Sequence, residues 1–437
     1  MITNDIKPIS IDASISESDA KTSRILPWVI VTLGAIFYCY EYLLRISPSV
    51  MTQELMRMYD LTATQIGLFS AYYYHGYVPV QIVVGLLMDR YGPRKLLTLA
   101  CLCCAVGTGL FASGISLEVA EAGRFLVGFG SAFAFVGALK LATIWLPPNR
   151  FALVSGIIVC LGMVGAMIGD VFLRICVDGA GWQLTIYSAA VIGVILTASL
   201  WLIIRDTKVQ QVKFHQNSLA FSKLFKGLFK AVKNPQIWLN GIIGLLLFLP
   251  ITAFAELWGI PYLEQSHGLG KVAAAHANAL IFLGWMVGAP MWGFISDYLR
   301  LRRLPLMVSS LLCFIFITPI LYIPGLSLTA VYILLFFLGV ASSAQVLVFA
   351  VARETASMKI TATAIALTNF FVMVGGNVFQ PFIGRLLDHS WSGSMLDGIR
   401  VYTVQDYQFA LTVLPLGVVL AFIAALFLRE TNAKLIE

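Results

Sequence analysis

Gly85-Leu86-Leu87-Met88-Asp89-Arg90-Tyr91-Gly92-Pro93-Arg94-Lys95 is the stretch that decides the fold. It is a charged segment set between two long apolar runs. In the second half of the chain, Gly293-Phe294-Ile295-Ser296-Asp297-Tyr298-Leu299-Arg300-Leu301-Arg302-Arg303 keeps the same Gly-to-Asp spacing. Each stretch falls between the second and third apolar run of a set of six. That recurrence marks an internal duplication, a common plan among membrane transporters.

Of the 437 residues, 59% are hydrophobic and 12% charged, and the mean hydropathy is +0.87. Soluble domains carry about 25% charged residues, so lipid is the main solvent. A membrane span takes about 20 apolar residues. Such runs lie at 28–50, 65–87, 96–115, 118–145, 152–175 and 183–204, and again at 237–260, 272–296, 304–323, 328–350, 362–385 and 407–428. Lipid offers the backbone no hydrogen bonds, so only helices and closed barrels span; continuous runs of this length exclude a barrel. The expectation is an all-α membrane protein with twelve transmembrane helices in two pseudo-symmetric six-helix bundles, 28–204 and 237–428. A disordered tail at 1–27, a basic linker at 205–236 and a short tail at 429–437 complete the chain.

Residues 1–27 lack a basic n-region followed by a short apolar run, so no cleavable signal peptide is expected there. The net charge of +7 does not indicate nucleic acid, because the basic residues sit between apolar runs and form no single stripe. Cys101 and Cys104 form a CxxC inside an apolar run, where small packable side chains are the simpler reading than a metal site.

The basic residues set the orientation. With the amino terminus inside, Arg90, Arg94, Lys95, Arg150, Arg205, Arg300, Arg353 and Arg429 all fall inside, and Arg57, Arg174, Lys271, Arg385 and Arg400 fall outside. Both termini are therefore expected in the cytoplasm of a bacterial cytoplasmic (inner) membrane. In the linker, Leu219, Phe221, Leu224, Phe225, Leu228 and Phe229 alternate with lysines, the pattern of an amphipathic helix on anionic lipid.

The first quoted stretch resembles the signature loop of the major facilitator superfamily, GxxxDRxGxR[KR], with Gly85, Asp89, Arg90, Gly92 and Arg94 in its defining positions. The second resembles its degenerate copy, carrying Asp297 and Arg300. Gly123-Arg124-Phe125-Leu126-Val127-Gly128-Phe129-Gly130 is similar to the family's RxxxGxG motif. Gly162, Gly165 and Gly169 resemble its antiporter motif, but without the usual proline. Tyr40-Glu41-Tyr42, Ala132 to Gly137, and Phe379-Gln380-Pro381 resemble the phagosomal transporter branch of intracellular bacteria, which takes up amino acids or nucleosides, and more distantly the lysosomal dipeptide transporters. The resemblance implies alternating access around a cavity lined by spans one, four, seven and ten.

A carboxylate is favoured at a helix amino terminus, where the dipole is positive. Asp89 is expected on the cytoplasmic side, where span eleven starts near Thr361, and Asp297 stands in the same relation to the start of span five, near Phe151. Each is expected to latch one bundle to the other on the cytoplasmic side, unless the loops only set topology.

Ionisable residues inside a membrane are functional candidates. Glu41 and Arg45 share a face of span one with Tyr38 and Tyr42. Arg45 would hold a substrate carboxylate; Glu41 would take a proton or an amine. The alternative is a structural ion pair. Arg124 is a second buried cation, for coupling or packing. Lys140 is expected to snorkel. Glu256 divides between cavity and interfacial belt, Gln345 is a neutral cavity candidate, and Asn369, Gly376 and Gln380 form one stripe. His75 is a weaker candidate, and Asp170 with Arg174 reads as a structural pair.

No Walker loop, HExxH or GxSxG is present, so no enzyme activity, cofactor or metal is expected, and a proton gradient would supply the energy. Mixed charge with aromatic walls suits a zwitterion such as an amino acid or short peptide. The expected function is proton-coupled uptake by a monomer. The alternatives are an exporter, a nucleoside, siderophore or organic-anion permease, and a transporter-like nutrient sensor.

Overall fold

The computed structural model describes residues 17–205, 228–229, 231–356, 361–396 and 398–434. They form twelve helical spans. The first six are Glu17–Ile46, Ala63–Gln81 with Val84–Tyr91, Pro93–Ala112, Leu117–Ser131 with Ala134–Trp145, Phe151–Ala180 and Trp182–Ile203. Span seven runs from Pro235 to His267, and spans eight and nine are Lys271–Leu299 and Arg303–Tyr322. Span ten joins Leu328–Ser342 to Leu347–Thr355, span eleven is Thr361–Ser390, and span twelve joins Val404–Leu411 to Val413–Phe427.

Eleven of the described helices are long and apolar enough to cross a membrane. Span two completes the set. Its Tyr72-Tyr73-Tyr74-His75 run and Gln81 dilute its apolar content, and it breaks at Ile82–Val83, shortly after Pro79. The amino-terminal tail is shorter than expected: residues 17–27 continue span one as helix, since extending a formed helix is far easier than nucleating one. Residues 1–16 and nearly all of the amphipathic linker segment lie outside the described residues. On span six, Leu184, Val191, Ile195 and Leu202 are exposed, an apolar surface suited to lipid.

Several spans depart from α-geometry midway, where they approach the centre. Span four breaks at Ala132–Phe133. Span ten tightens to a 3₁₀ turn over Ser343–Val346. Span seven becomes a π-helix over Pro250–Trp258, beginning at a proline that cannot donate the ordinary helical bond. Such segments are frequent at functional sites.

The two bundles meet along two seams, span two on span eleven and span five on span eight. Inside the first bundle, span four lies so close to span two that a Cβ on Gly128 would collide with the Tyr73 carbonyl. The RxxxGxG glycine therefore fixes the position of the helix that carries Tyr73.

Candidate functional site

Arg45 is the centre of the site. Spans one, two and seven bring Glu41, Tyr73 and Glu256 around it. Glu41 is 0% exposed, Glu256 1% and Arg45 2%. Glu41 lies one turn before Arg45, and Arg45 Nη2 donates to its Oε1 at 3.1 Å. Arg45 Nε donates to the Tyr73 hydroxyl at 2.9 Å, and that hydroxyl donates to Glu41 Oε2 at 2.9 Å. The three side chains bond one another directly. The guanidinium carbon lies 4.2 Å from the centre of the Tyr42 ring and 5.3 Å from that of Tyr77, attractive positions for a cation over aromatic faces.

The second acid comes from the other bundle. Glu256, on the π-helix, accepts from the Tyr74 hydroxyl of span two. Its Oε1 faces Arg45 Nη1 at 3.7 Å, and neither of these two atoms has a hydrogen-bond partner. One cation is thus shared unequally: fully bonded to Glu41 of its own helix, loosely paired with Glu256 of the opposite bundle. A ligand carboxylate arriving at Nη1 would complete an unfinished set of bonds.

A cavity of about 720 Å³ leads to this point, within the usual range for small-molecule sites. Its walls are Tyr38, Tyr42, Tyr77, Phe135, Phe248 and Trp285, with Arg45, Gln81, Gln345 and Asn369 as polar groups. Asn369 donates to Gln81 at 3.1 Å across the bundles. The Gln345 amide nitrogen is buried and has no hydrogen-bond partner. Gly85, Asp89 and Thr363 also line this cavity, so it extends to the end of the molecule that carries the signature loop.

The opposite end is sealed across the bundles. Asp388, near the end of span eleven, accepts from the Thr64 amide at 2.8 Å and the Thr64 hydroxyl at 2.5 Å, at the first turn of span two. Tyr402 and Arg400 hold the same carboxylate at 2.6 Å and 3.2 Å. Gln53 bonds Glu264 at 3.1 Å, and Lys271 reaches Glu54 at 3.2 Å.

At the signature end the acids pair locally. Asp89 binds Lys140 of its own bundle at 2.5 Å, so Lys140 does more than snorkel. Asp297 binds Arg302 at 2.7 Å and not the start of span five. Arg302 also holds Glu354 at 2.8 Å. Burial acts to lower the pKa of Arg302, but Glu354 and Asp297 outweigh it and hold it above the ordinary value. Arg300, the expected motif cation, is instead exposed and ends span eight in a left-handed conformation, φ 53°. Arg94 bonds the Trp201 carbonyl at 2.9 Å, Arg90 lies over the Tyr91 ring, and Gly92 supplies the φ of 80° that turns the chain into span three.

Other expectations are corrected. Arg124 is absent from the cavity wall. It is 1% exposed and donates to the Leu44 and Arg45 carbonyls at 2.8 Å and 3.0 Å, bracing the backbone of span one. Glu256 is central and not interfacial. Asp170 and Arg174 part company: Asp170 faces Asn278, and Arg174 faces Glu54 and Asp178. The span eleven stripe divides, for Gly376 packs on the Tyr74 ring and Gln380 donates to the Thr252 carbonyl at 2.7 Å. His75 is exposed on span two, away from the cavity. Tyr73 and Tyr74 were not site candidates; their signal was three adjacent tyrosines in an otherwise apolar run.

Two six-helix bundles with a cavity between them are the architecture of many secondary transporters. The sequence model of the Major Facilitator Superfamily matches residues 30–380, and the chain belongs to that family. It is 24% identical to a probable sulfoacetate transporter, SauU, of Cupriavidus necator, over 69% of this chain and 73% of that protein. It is also 24% identical to a probable galactarate/D-glucarate transporter, GarP, of Escherichia coli, over 84% and 90%. Among solved structures it resembles a bacterial homologue of the human lysosomal transporter Spinster in its inward-facing, unoccupied conformation, with a TM-score of 0.73 at 16% identity, over 92% of this chain and 97% of that one.

Proposed function

We propose that this protein is a proton-coupled importer of a small polar solute bearing a carboxylate, with amino acids and short peptides as the first class. It would work as a monomer in a bacterial cytoplasmic membrane, with both termini and the signature end inside. The observation that carries this reading is Arg45, a buried cation that lines the cavity and whose Nη1 has no hydrogen bond and only a loose 3.7 Å contact to Glu256.

Charge counting supports coupling. Arg45 and Arg124 balance Glu41 and Glu256 when both acids are ionised. A proton on either acid leaves one positive charge uncompensated, which a substrate carboxylate neutralises. A zwitterion adds no net charge, so this count supports coupling for an anionic solute; the amine of an amino acid would pair with the acid that stays ionised. The organic-acid reading is favoured by the relatives named above, whose printed substrates are sulfoacetate and galactarate/D-glucarate.

Proteoliposomes test both. An imposed inward proton gradient should drive accumulation, and Glu41→Gln should abolish accumulation while sparing exchange. Flux indifferent to both the pH gradient and the voltage would end the coupling reading. A thermal-shift panel of amino acids, dipeptides and sugar diacids separates the two solute classes, because a ligand of the folded state raises the melting temperature.

A further inference from the structure

Asp170 is a buried carboxyl outside the solute cavity. It sits where span five crosses span eight, and it is 0% exposed. Asn278 of span eight donates to its Oδ2 at 2.7 Å and gives its second amide proton to the Ala255 carbonyl at 2.8 Å. Ser49 Oγ lies 3.4 Å from Asp170 Oδ1 and 2.8 Å from the Ile46 carbonyl. A serine has one hydroxyl proton, and the shorter contact takes it. Oδ1 is therefore left with no full-strength donor, an environment that favours the neutral, protonated carboxyl over the carboxylate. In that form Oδ2 is the carbonyl oxygen that accepts from Asn278.

The charged surroundings agree. Arg174, one turn further along span five, is occupied by the Val50 carbonyl, Glu54 and Asp178. Glu256 is the titratable group that faces Asp170 from span seven; it is acidic, and Tyr74 and Arg45 engage it. Beyond the Ser47–Met51 turn, Glu54, Glu264 and Lys271 form their own cluster. Among the described residues, every hydrogen-bond partner of Asp170 is neutral. An ionised carboxylate so placed, with one full-strength hydrogen bond and no paired cation, is costly.

We propose that Asp170 is a proton-binding site built into the seam between the bundles, filled when the far end closes and emptied when it opens. The site is separate from the Glu41–Arg45–Glu256 cluster, although Asn278 ties it to the backbone beside Glu256. This rests on the alternating-access reading, in which spans five and eight separate at the far end and water reaches Asp170. Closure then takes up one proton, and each unit of pH rise at that face weakens closure by up to about tenfold.

Infrared spectra of the purified protein in lipid, without solute, test the site. A protonated-carboxyl stretch should be present at neutral pH, persist in Glu41→Gln and Glu256→Gln, and vanish in Asp170→Asn. In Asn278→Ala the same band should move to higher frequency, because the carbonyl oxygen loses its donor; this second variant decides the matter if Asp170→Asn does not fold. A spectrum that neither variant alters overturns the proposal. Flux that ignores a proton gradient would instead end the coupled-import reading and leave this band in place.

Discussion

The two ends of the molecule use the same chemistry with different partners. At the signature end, Asp89 and Asp297 bind cations of their own bundles, Lys140 and Arg302. At the far end, Asp388 caps the first turn of span two in the opposite bundle, and Lys271 reaches across to Glu54. Among the described residues, the cavity reaches the signature end and the far end is sealed. The number of acids does not decide which; what decides is whether each acid is satisfied inside its bundle or across the seam. A helix amino terminus offers unpaired amides and a positive dipole, so it is a partner that a carboxylate can gain or lose as a rigid bundle tilts. Asp388 uses such a terminus in this state, whereas Asp89 is held by Lys140 of its own bundle.

Joining the far end covalently should have the largest effect. A disulfide between Thr64→Cys and Asp388→Cys should reduce transport to background, with recovery on reduction; unchanged flux in the oxidised protein would refute a moving seam. Next comes the cluster between the two ends. Arg45→Met leaves Glu41 and Glu256 buried without their cation, which should lower stability by about 3–5 kcal/mol and abolish uptake. Adding Glu256→Gln should recover part of the melting temperature but no transport.

Smaller effects sharpen the comparison. Asp388→Asn removes the charge at the first turn of span two, which should weaken closure of the far end by about 0.5–2 kcal/mol. Spin-label distances across that end should lengthen accordingly; an unchanged distribution would make the cap incidental. Asp89→Asn should be the mildest for stability. The Asp89 and Lys140 side chains are 46% and 34% exposed, and such surface pairs contribute about 0–1 kcal/mol. Uptake should still fall if Asp89 latches the start of span eleven in the other state. A melting-temperature drop as large as that of Arg45→Met would make Asp89 structural instead.

Much of this architecture was legible in the chain. Apolar runs, basic loops and the repeated Gly-to-Asp spacing specified twelve spans and a two-fold plan, because each is local and lipid allows few alternatives. Glu41 and Arg45 were readable as partners, since four residues on a helix place them together. Glu256 was not, because its depth depends on the π-helix that begins at Pro250. Arg302 displaced Arg300 because span eight ends in a left-handed turn at Arg300, which leaves that side chain exposed.

By itself, the sequence determined that this protein lives in lipid, that it is doubled, and where its unusual charges fall along each helix. Only the tertiary structure decided which charges meet. Arg45 with Glu256, Asp388 with Thr64, and Asp170 with Asn278 join residues of opposite bundles, far apart in the chain. Helical periodicity fixes the face of one helix; which face of another helix it meets is set by packing, and no local pattern encodes that.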